Sequence, residues 1–434
     1  MLSYNKKFEE KGRDLTIQAN YSRRKNDHPL AFTNYNPDNT VYFTKAEDYF
    51  TFNVLNAQAD YIHPFGNETK FEAGLRNTYR NIIADYKFLI LDDISKQWLV
   101  YQNRINDINW NENTSASYMT LSGKYKELSY NVGLRGEFYY LKFELNQRAE
   151  NFNQNYFDLF PNVSLTQSIN KENAIQLSYS RRINRPGMYQ LNPFVFQNDE
   201  YLKRAGNPNL TPEYVNSVEL GYTRYLKFAT LTVSGYLRNV LDNINPMKTI
   251  DTNGAVFTTY KNTGTSNTYG LEFIVQLNLA KWWNINGSAN YYYNRIFNNE
   301  GALEYDNTYK GFSSNLTSNT NIPDFCDIQL QYSYDGVRLT PQGRFNAAHI
   351  LDISVQKGFL DRKLMLGLRL SDVFSKDVID YTVDTKDFSQ AVFEKGHTRI
   401  LYFTLSFNFG EQFSSNSQRL SQRRQREAGN EIRN

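Results

Sequence analysis

The sequence predicts an all-β protein, and within that class a transmembrane antiparallel up-and-down β-barrel. Three observations predict it. First, apolar and polar residues alternate along most of the chain, as in Ile175, Leu177 and Tyr179 against Gln176, Ser178 and Ser180. A period of two is the pleat of a strand with one apolar and one polar face. Second, the connections between such segments are alternately short and long, as in barrels whose tight turns face the periplasm and whose long loops face outward. Third, mean hydropathy is low although the chain holds 33 Tyr and 30 Phe. No apolar run approaches the ~20 residues of a spanning helix. A wall with lipid outside and a wet lumen inside reconciles the two. The alternative, a soluble all-β protein such as a propeller, would show a repeat of about 40–50 residues, and none is visible.

The pattern gives about sixteen strands plus an initial stub at Leu2–Phe8. Leu15, Ile17, Ala19 and Tyr21 line one face of the first, Leu55, Ala57, Ala59 and Tyr61 the second, and Phe71, Ala73 and Leu75 the third. A strand around Ala116–Gly123 follows, whose facing the pattern leaves open. Leu128, Tyr130, Val132, Leu134 and Phe138 mark a clearer one, and Val163 and Leu165 belong to the next. The strands of Ile175–Tyr179 and Val218–Tyr222 precede Leu231 and Val233, then Leu271–Leu279 and Ile285–Tyr293. Ile328–Tyr334, Leu351–Val355, Leu364–Leu370 and Leu401–Phe409 complete the series. Short connections fall near Tyr125–Glu127, Asn170–Glu172, Tyr225–Lys227, Ala280–Trp283 and Phe359–Arg362. Long ones fall at Lys25–Asp48, Tyr86–Glu112, Asn146–Asn155, Arg185–Pro212 and Ser375–Gly396. Aromatic girdles at the two lipid–water boundaries are expected from Tyr139, Tyr140, Trp282, Trp283, Tyr291, Tyr292 and Tyr402.

Residues 1–410 form the barrel, and residues 411–434 read as a disordered polar, basic tail that cannot bury a core. Net charge is +3, so no basic field points to nucleic acid. The start, MLSYNKKFEEKGRDL, lacks the apolar segment of a signal peptide. A protein bound for an outer membrane needs one, so the chain reads as the C-terminal part of a longer protein, or its start is misplaced. The single cysteine, Cys326, cannot form an internal disulfide and is expected to be a small buried residue. The four histidines are scattered with no metal-type spacing. Asp251–Val256 resembles part of a calcium loop but lacks its later glutamate, and Asn253-Gly254 favours a hairpin turn. No nucleophile, phosphate-loop or zinc motif appears. The sequence therefore points to no enzyme, no cofactor and no metal, with a barrel-rim Ser371 or Ser375 and His397 as the remaining catalytic alternative.

Several segments then occur in order: SYSRRINRP, NPF, GNPNLTPEYVNSVELGY, YKN at Tyr260–Asn262, TYGLEF, TPQGRF, LDISVQKGFL, LRLSDVF and LYFTLSFNFG. Together, over Tyr156–Gly410, they resemble the barrel of TonB-dependent receptors, in particular the outer-membrane β-barrel family of Bacteroidota type. Leu2–Asn155 fits more loosely. The resemblance implies a barrel of about 22 strands filled by an N-terminal plug. About sixteen strands leave roughly five, the plug and the TonB-contacting segment unaccounted for. It implies uptake of a scarce solute (glycan, peptide or metal chelate) across the cell outer membrane. The implied partners are outer-membrane lipid, the plug domain, the TonB complex, the barrel assembly machinery and, as in some relatives, a surface lipoprotein. A structural scaffold, adhesin or passive pore without TonB coupling is the alternative.

Within the hallmark segment, Arg181, Arg182 and Arg185 form the sharpest positive cluster. Arg182 shares the parity of Ser178 and Ser180, where it suits plug carboxylates or an anionic substrate, or simple solvation. Glu213 is placed to pair with one of them. Tyr35, Asn36, Asp38, Tyr189, Asn192 and Tyr201 give the surface loops stacking and hydrogen-bonding groups. Many outer-membrane barrels end on an aromatic residue read by the assembly machinery. Here Tyr402, Phe403, Leu405, Phe407 and Phe409 would serve as an internal insertion signal.

Overall fold

The computed structural model describes residues 1–35, 40–66, 68–146, 149–197, 201–298 and 305–409. The strands are β1 (Leu2–Lys7), β2 (Asp14–Asp27), β3 (Leu30–Tyr35), β4 (Val41–Phe65), β5 (Thr69–Leu91), β6 (Trp98–Tyr125), β7 (Leu128–Leu145), β8 (Glu150–Asn170) and β9 (Asn173–Asn184). A one-turn helix α1 (Met188–Leu191) and two short strands, β10 (Phe196–Gln197) and β11 (Leu202–Arg204), follow. Then come β12 (Glu213–Tyr225), β13 (Ala229–Leu241), β14 (Ile244–Ile250), β15 (Val256–Asn262), β16 (Thr265–Ala280), β17 (Trp283–Asn298), β18 (Tyr305–Ile322) and β19 (Cys326–Asp335). The chain continues through β20 (Arg338–Thr340), β21 (Gly343–Phe345), β22 (Ala348–Phe359), β23 (Leu364–Leu370), β24 (Val378–Asp384), β25 (Ser389–Lys395) and β26 (Leu401–Phe407).

Eighteen of these strands form one sheet. It is an antiparallel meander, each stave pairing with the next in the chain. β2 and β3 pair end to end with β4 and make one stave. The wall is thus the stub β1 plus sixteen staves, as the alternation predicts. Among the described residues β1 pairs only with β2, and β26 only with β23. β18 escapes the alternation because only Phe312, Leu316 and Ile322 mark its apolar side, widely spaced amid Ser, Asn and Thr.

Register carries the two-faced design across the wall. Leu165, Leu177, Leu220, Gly235, Leu271, Tyr291 and Phe312 are cross-strand partners in one row. The adjacent row of opposite parity is Ser164, Ser178, Glu219, Tyr236, Gly270, Tyr292 and Gly311. Leu177, Leu220 and Leu271 stand about half exposed. A large apolar side chain left in water forgoes about 1.5–3 kcal/mol, which a continuous ring of them could not sustain; against hydrocarbon that cost vanishes. The open facing of Ala116–Gly123 resolves the same way: Ser117, Met119 and Leu121 share rows with Leu75, Ala73 and Phe71 on the outer face.

On the inner face, tyrosines lie over glycines of the neighbouring strand. Tyr118 covers Gly74, Tyr236 covers Gly270 and Tyr292 covers Gly311, each directly opposite in register. A Cβ at Gly270 would sit 2.3 Å from the Tyr236 ring. The missing side chain makes room for the ring, so the wall stays closely packed where it curves.

The turns at one end are tight, and several use left-handed backbone: Lys126, Asp324, and Leu360, Asp361 and Arg362 in succession. At the other end three expected loops are instead largely continuing strand, Lys25–Asp48 running through the end of β2, β3 and the start of β4. Tyr86 pairs with Asn106 and Tyr140 with Asn155, so Tyr86–Glu112 and Asn146–Asn155 lie largely in β5–β8. Here the alternation changes phase. On β5 the outer residues Phe71, Ala73 and Leu75 give way to buried inner residues Ile82, Ala84, Tyr86 and Phe88. On β7 the change falls between Phe138, half exposed, and Tyr139, buried with Leu141, Phe143 and Leu145. β5 and β6 are 23 and 28 residues long, against 13 for β12. Since a strand crosses a bilayer in about 9–11 residues, the upper part of these strands stands outside it. Of the expected girdle residues, Tyr140, Trp282 and Tyr291 are exposed. Tyr139, Tyr292 and Tyr402 have inner parity instead. Cys326 opens β19 and is half-buried rather than buried.

Candidate functional site

The inner face of the projecting wall is apolar because a loop fills it. Phe50, Ile82, Ile108, Trp110, Leu141 and Phe143 pack against Leu191 and Leu210, which belong to the connection between β9 and β12. Phe194 and Phe196 of that connection pack edge-on against Tyr86, at 5.8 and 5.5 Å. The segment that sequence reading places at the cell surface therefore folds back into the mouth of the barrel and is anchored there.

Its hallmark residues hold one another. Gly187 precedes the single turn of α1, and Asn192 closes it, donating its amide to the Met188 carbonyl at 2.9 Å. The Asn192 side chain accepts from the Phe194 amide at 3.0 Å and is itself buried. Gly206 runs so close to this turn that a Cβ would lie 2.6 Å from the Gln190 carbonyl and 2.7 Å from the Asn192 amide. Only glycine fits there. Asn207 donates to the Tyr260 carbonyl at 3.1 Å, and the Asn262 side chain clasps Thr211 through two bonds of 2.9 Å. NPF, GNPNLTPE and YKN, separated in sequence, are one packed unit.

Arg185 ties that unit to the wall. Its guanidinium donates to Glu137 at 2.7 Å and to the Tyr156 hydroxyl at 3.1 Å, and it lies over the Tyr139 ring at 4.7 Å. Arg135 shares Glu137 at 2.6 Å. These contacts close a seam. β8 pairs with β9 only from Asn162 to Asn170, while β8 runs on along β7 to Glu150. Above Asn162 the gap is spanned by Arg185–Tyr156, by Tyr214 donating to Asp158 at 2.9 Å, and by Gln154 donating to the Pro208 and Leu210 carbonyls.

The other expected residues separate. Arg181 has outer parity and lies over the Tyr214 ring at 4.9 Å, its Nε buried and without a hydrogen-bond partner. Arg182 has inner parity and is exposed. Among the described residues Glu213 pairs with no arginine: it accepts from the Asn184 side chain and the Ile244 amide, both at 2.5 Å. Tyr201 is 71 % and Tyr189 52 % exposed at the mouth. Tyr35 is also exposed, and Asn36 and Asp38 lie outside the described residues. The partners that sequence reasoning missed are Glu137, Tyr139 and Tyr156. The readable signal was Arg135 and Glu137 two residues apart on one strand face.

Two four-stranded sheets extend the mouth, β10–β11–β15–β14 and β20–β21–β24–β25. They lock through Gln342, which accepts from the Lys248 amide at 2.7 Å, and through the Lys248 ammonium, which donates to Tyr381 and Gln390 at 2.7 Å each. Asp251–Val256 is the β14–β15 turn, with Gly254 at φ +80°. Asp251 accepts from the Lys203 ammonium at 2.6 Å and from the Asn253 and Ala255 amides. The lysine first, and then the amides, hold its carboxyl below the usual carboxylate range. The Ser371 hydroxyl donates to the Thr398 carbonyl at 2.8 Å. Residues 411–434 lie outside the described residues.

Solved structures share this architecture. The ferric-catecholate import receptor Fiu from K12 E. coli matches with a TM-score of 0.65 at 13 % identity, covering 94 % of this chain and 63 % of its own. The copper transporter OprC matches at 0.64 and 12 %, covering 94 % and 64 %. The ferric citrate transporter FecA matches at 0.62 and 15 %, covering 94 % and 60 %. The chain thus spans less than two thirds of these proteins' length. No curated protein sequence matches it. Residues 6–409 match the model of the outer membrane protein beta-barrel family. The chain belongs to that family and resides in the cell outer membrane.

Proposed function

We propose that this chain is the barrel portion of a TonB-dependent outer-membrane receptor of Bacteroidota type, taking up a scarce solute rather than catalysing a reaction. The observation that carries the reading is the mouth. A polar lumen opens beneath a surface loop docked inside the wall and two interlocked sheets, an arrangement suited to selecting a solute before it enters. Exposed Tyr189 and Tyr201 beside polar loop groups suit a glycan, a peptide or a metal chelate. The similarity to receptors and transporters, over 94 % of this chain and about three fifths of theirs, supports the same fold in the same membrane. The remaining length in the receptor would supply a plug and the strands that meet β1 and β26; backbone groups left unpaired in lipid cost several kcal/mol each. Arg182 is one exposed cation of inner parity available to plug carboxylates. Residues Tyr402–Phe409 would present the assembly signal, and a surface lipoprotein would cap the mouth.

Capture of the full-length receptor that carries this barrel, from detergent-solubilised outer membranes, tests the reading. TonB co-purifying with it, and solute accumulation that stops when TonB is removed, are expected. A steady large conductance in a planar bilayer with no TonB association would replace the receptor by a passive pore.

A further inference from the structure

We propose that the lipid-facing surface of β2 and β4–β8 holds one anionic, phosphate-bearing lipid of the outer leaflet at a built site. Side chains step up this surface in registered rows. The lowest is Leu15, Tyr61, Ala73, Met119 and Leu134. Above it come Ile17, Ala59, Leu75, Ser117 and Gly136, then Ala19, Ala57, Asn77 and Ser115. Half of these side chains are Ala, Ser or Gly, concentrated in the upper two rows, while Phe138, Phe157 and Leu159 stand at their edge. Two adjoining hollows, of about 590 and about 600 Å³, occupy the low ground. A wall that only had to meet fluid lipid would need no hollow, and one left unfilled forfeits dispersion contacts along its lining.

The rows above match a headgroup. Tyr21, Leu55, Tyr79, Asn113 and Tyr140 come next, with aromatic rings at the depth where an interface favours them. Arg23, Asn53, Asn81, Asn111 and Lys142 follow. The amides are chained: Tyr21 donates to Asn53, Asn53 to Asn81 and Asn81 to Asn111, at 3.0–3.1 Å. That chain fixes the ladder while leaving its outer edge open to hydroxyls. Lys142 is shared with Glu144 at 2.7 Å. Arg23 is exposed and makes no ion pair among the described residues. Its planar fork is the group that suits a phosphate. From Ala19 to Arg23 is about 13 Å along the strand, so acyl chains in the hollow and a phosphate at Arg23 belong to one molecule.

Native mass spectrometry of the detergent-solubilised protein, supplied with lipid A or with phosphatidylcholine, tests this. One lipid A retained per chain and no retained phosphatidylcholine is the expected result. Arg23→Ala should weaken retention about tenfold, the factor for one lost hydrogen bond to a charged group. Ser117→Phe, which fills the hollow, should abolish retention while the heat-dependent gel mobility of the folded barrel is kept. If Ser117→Phe fails to insert, Arg23→Ala alone decides, since that side chain is exposed and supports no packing. Equal retention of both lipids, unchanged retention in Arg23→Ala, or a change in oligomeric mass without a change in lipid would overturn the proposal; the last would make the hollow a protein-docking surface.

Discussion

The Arg185 guanidinium meets Glu137, Tyr139 and Tyr156 at once. Its replacement by alanine leaves the Glu137 carboxylate, about nine-tenths buried, with Arg135 alone. Breaking a buried pair costs about 3–5 kcal/mol; with a second arginine still in place, about 2 kcal/mol is expected. It should appear as a lower temperature for loss of the folded gel mobility. Arg185→Lys should restore only part of that loss, because an ammonium cannot serve the carboxylate and the phenol from one planar fork. At Gly206, alanine would press its Cβ into the backbone of residues 190–192. An overpacking cost of about 1–3 kcal/mol should free the loop, and faster cleavage by added protease on intact cells would register it. Asp251 sets a pH dependence. Its folded-state carboxyl titrates below the ordinary value, so its contribution is present above the unfolded pKa of about 3.9. That contribution disappears as pH falls through the lower folded value. The β14–β15 turn should therefore loosen on strong acidification, and Lys203→Ala should move the transition upward; amide exchange of Asn253 and Ala255 reads it.

At the scale of elements, the paired tyrosines and glycines bind neighbouring staves. Gly270→Val would drive a side chain into the Tyr236 ring, and a lower yield of inserted barrel from refolding into detergent micelles is expected, at a cost of about 1–3 kcal/mol. Gly270→Val combined with Tyr236→Ala should recover part of it. The staves themselves were legible from Leu15 to Phe407, because lipid on one side and water on the other impose strict alternation. Two kinds of segment were not. β18 has too few apolar residues to mark a face. The projecting halves of β5–β8 reverse their apolar side, so Ile82–Phe88 and Tyr139–Leu145 break the alternation. Charge alone pairs Glu213 with an arginine, whereas its carboxylate is satisfied by the Asn184 amide and the Ile244 backbone N–H. The true partner of Arg185 lies 48 residues upstream, a separation that alternation cannot bridge without register.

For the whole molecule, the outward row of half-exposed leucines requires hydrocarbon. The purified chain should remain monodisperse only in detergent or lipid, and a water-soluble monomer would contradict the architecture. The reversal of apolar side on β5 and β7 has a use beyond this protein. It acts as a depth gauge written in the residues: greasy positions of one parity lie within the membrane, and those of the other parity rise above it. On β7 the mark falls between Phe138 and Tyr139. From the Asn81 row to Leu91 the rampart climbs roughly 25 Å for a strand tilted about 40°. The height to which any such barrel projects into the cell-surface layer can therefore be estimated from where its parity flips, before any coordinates exist.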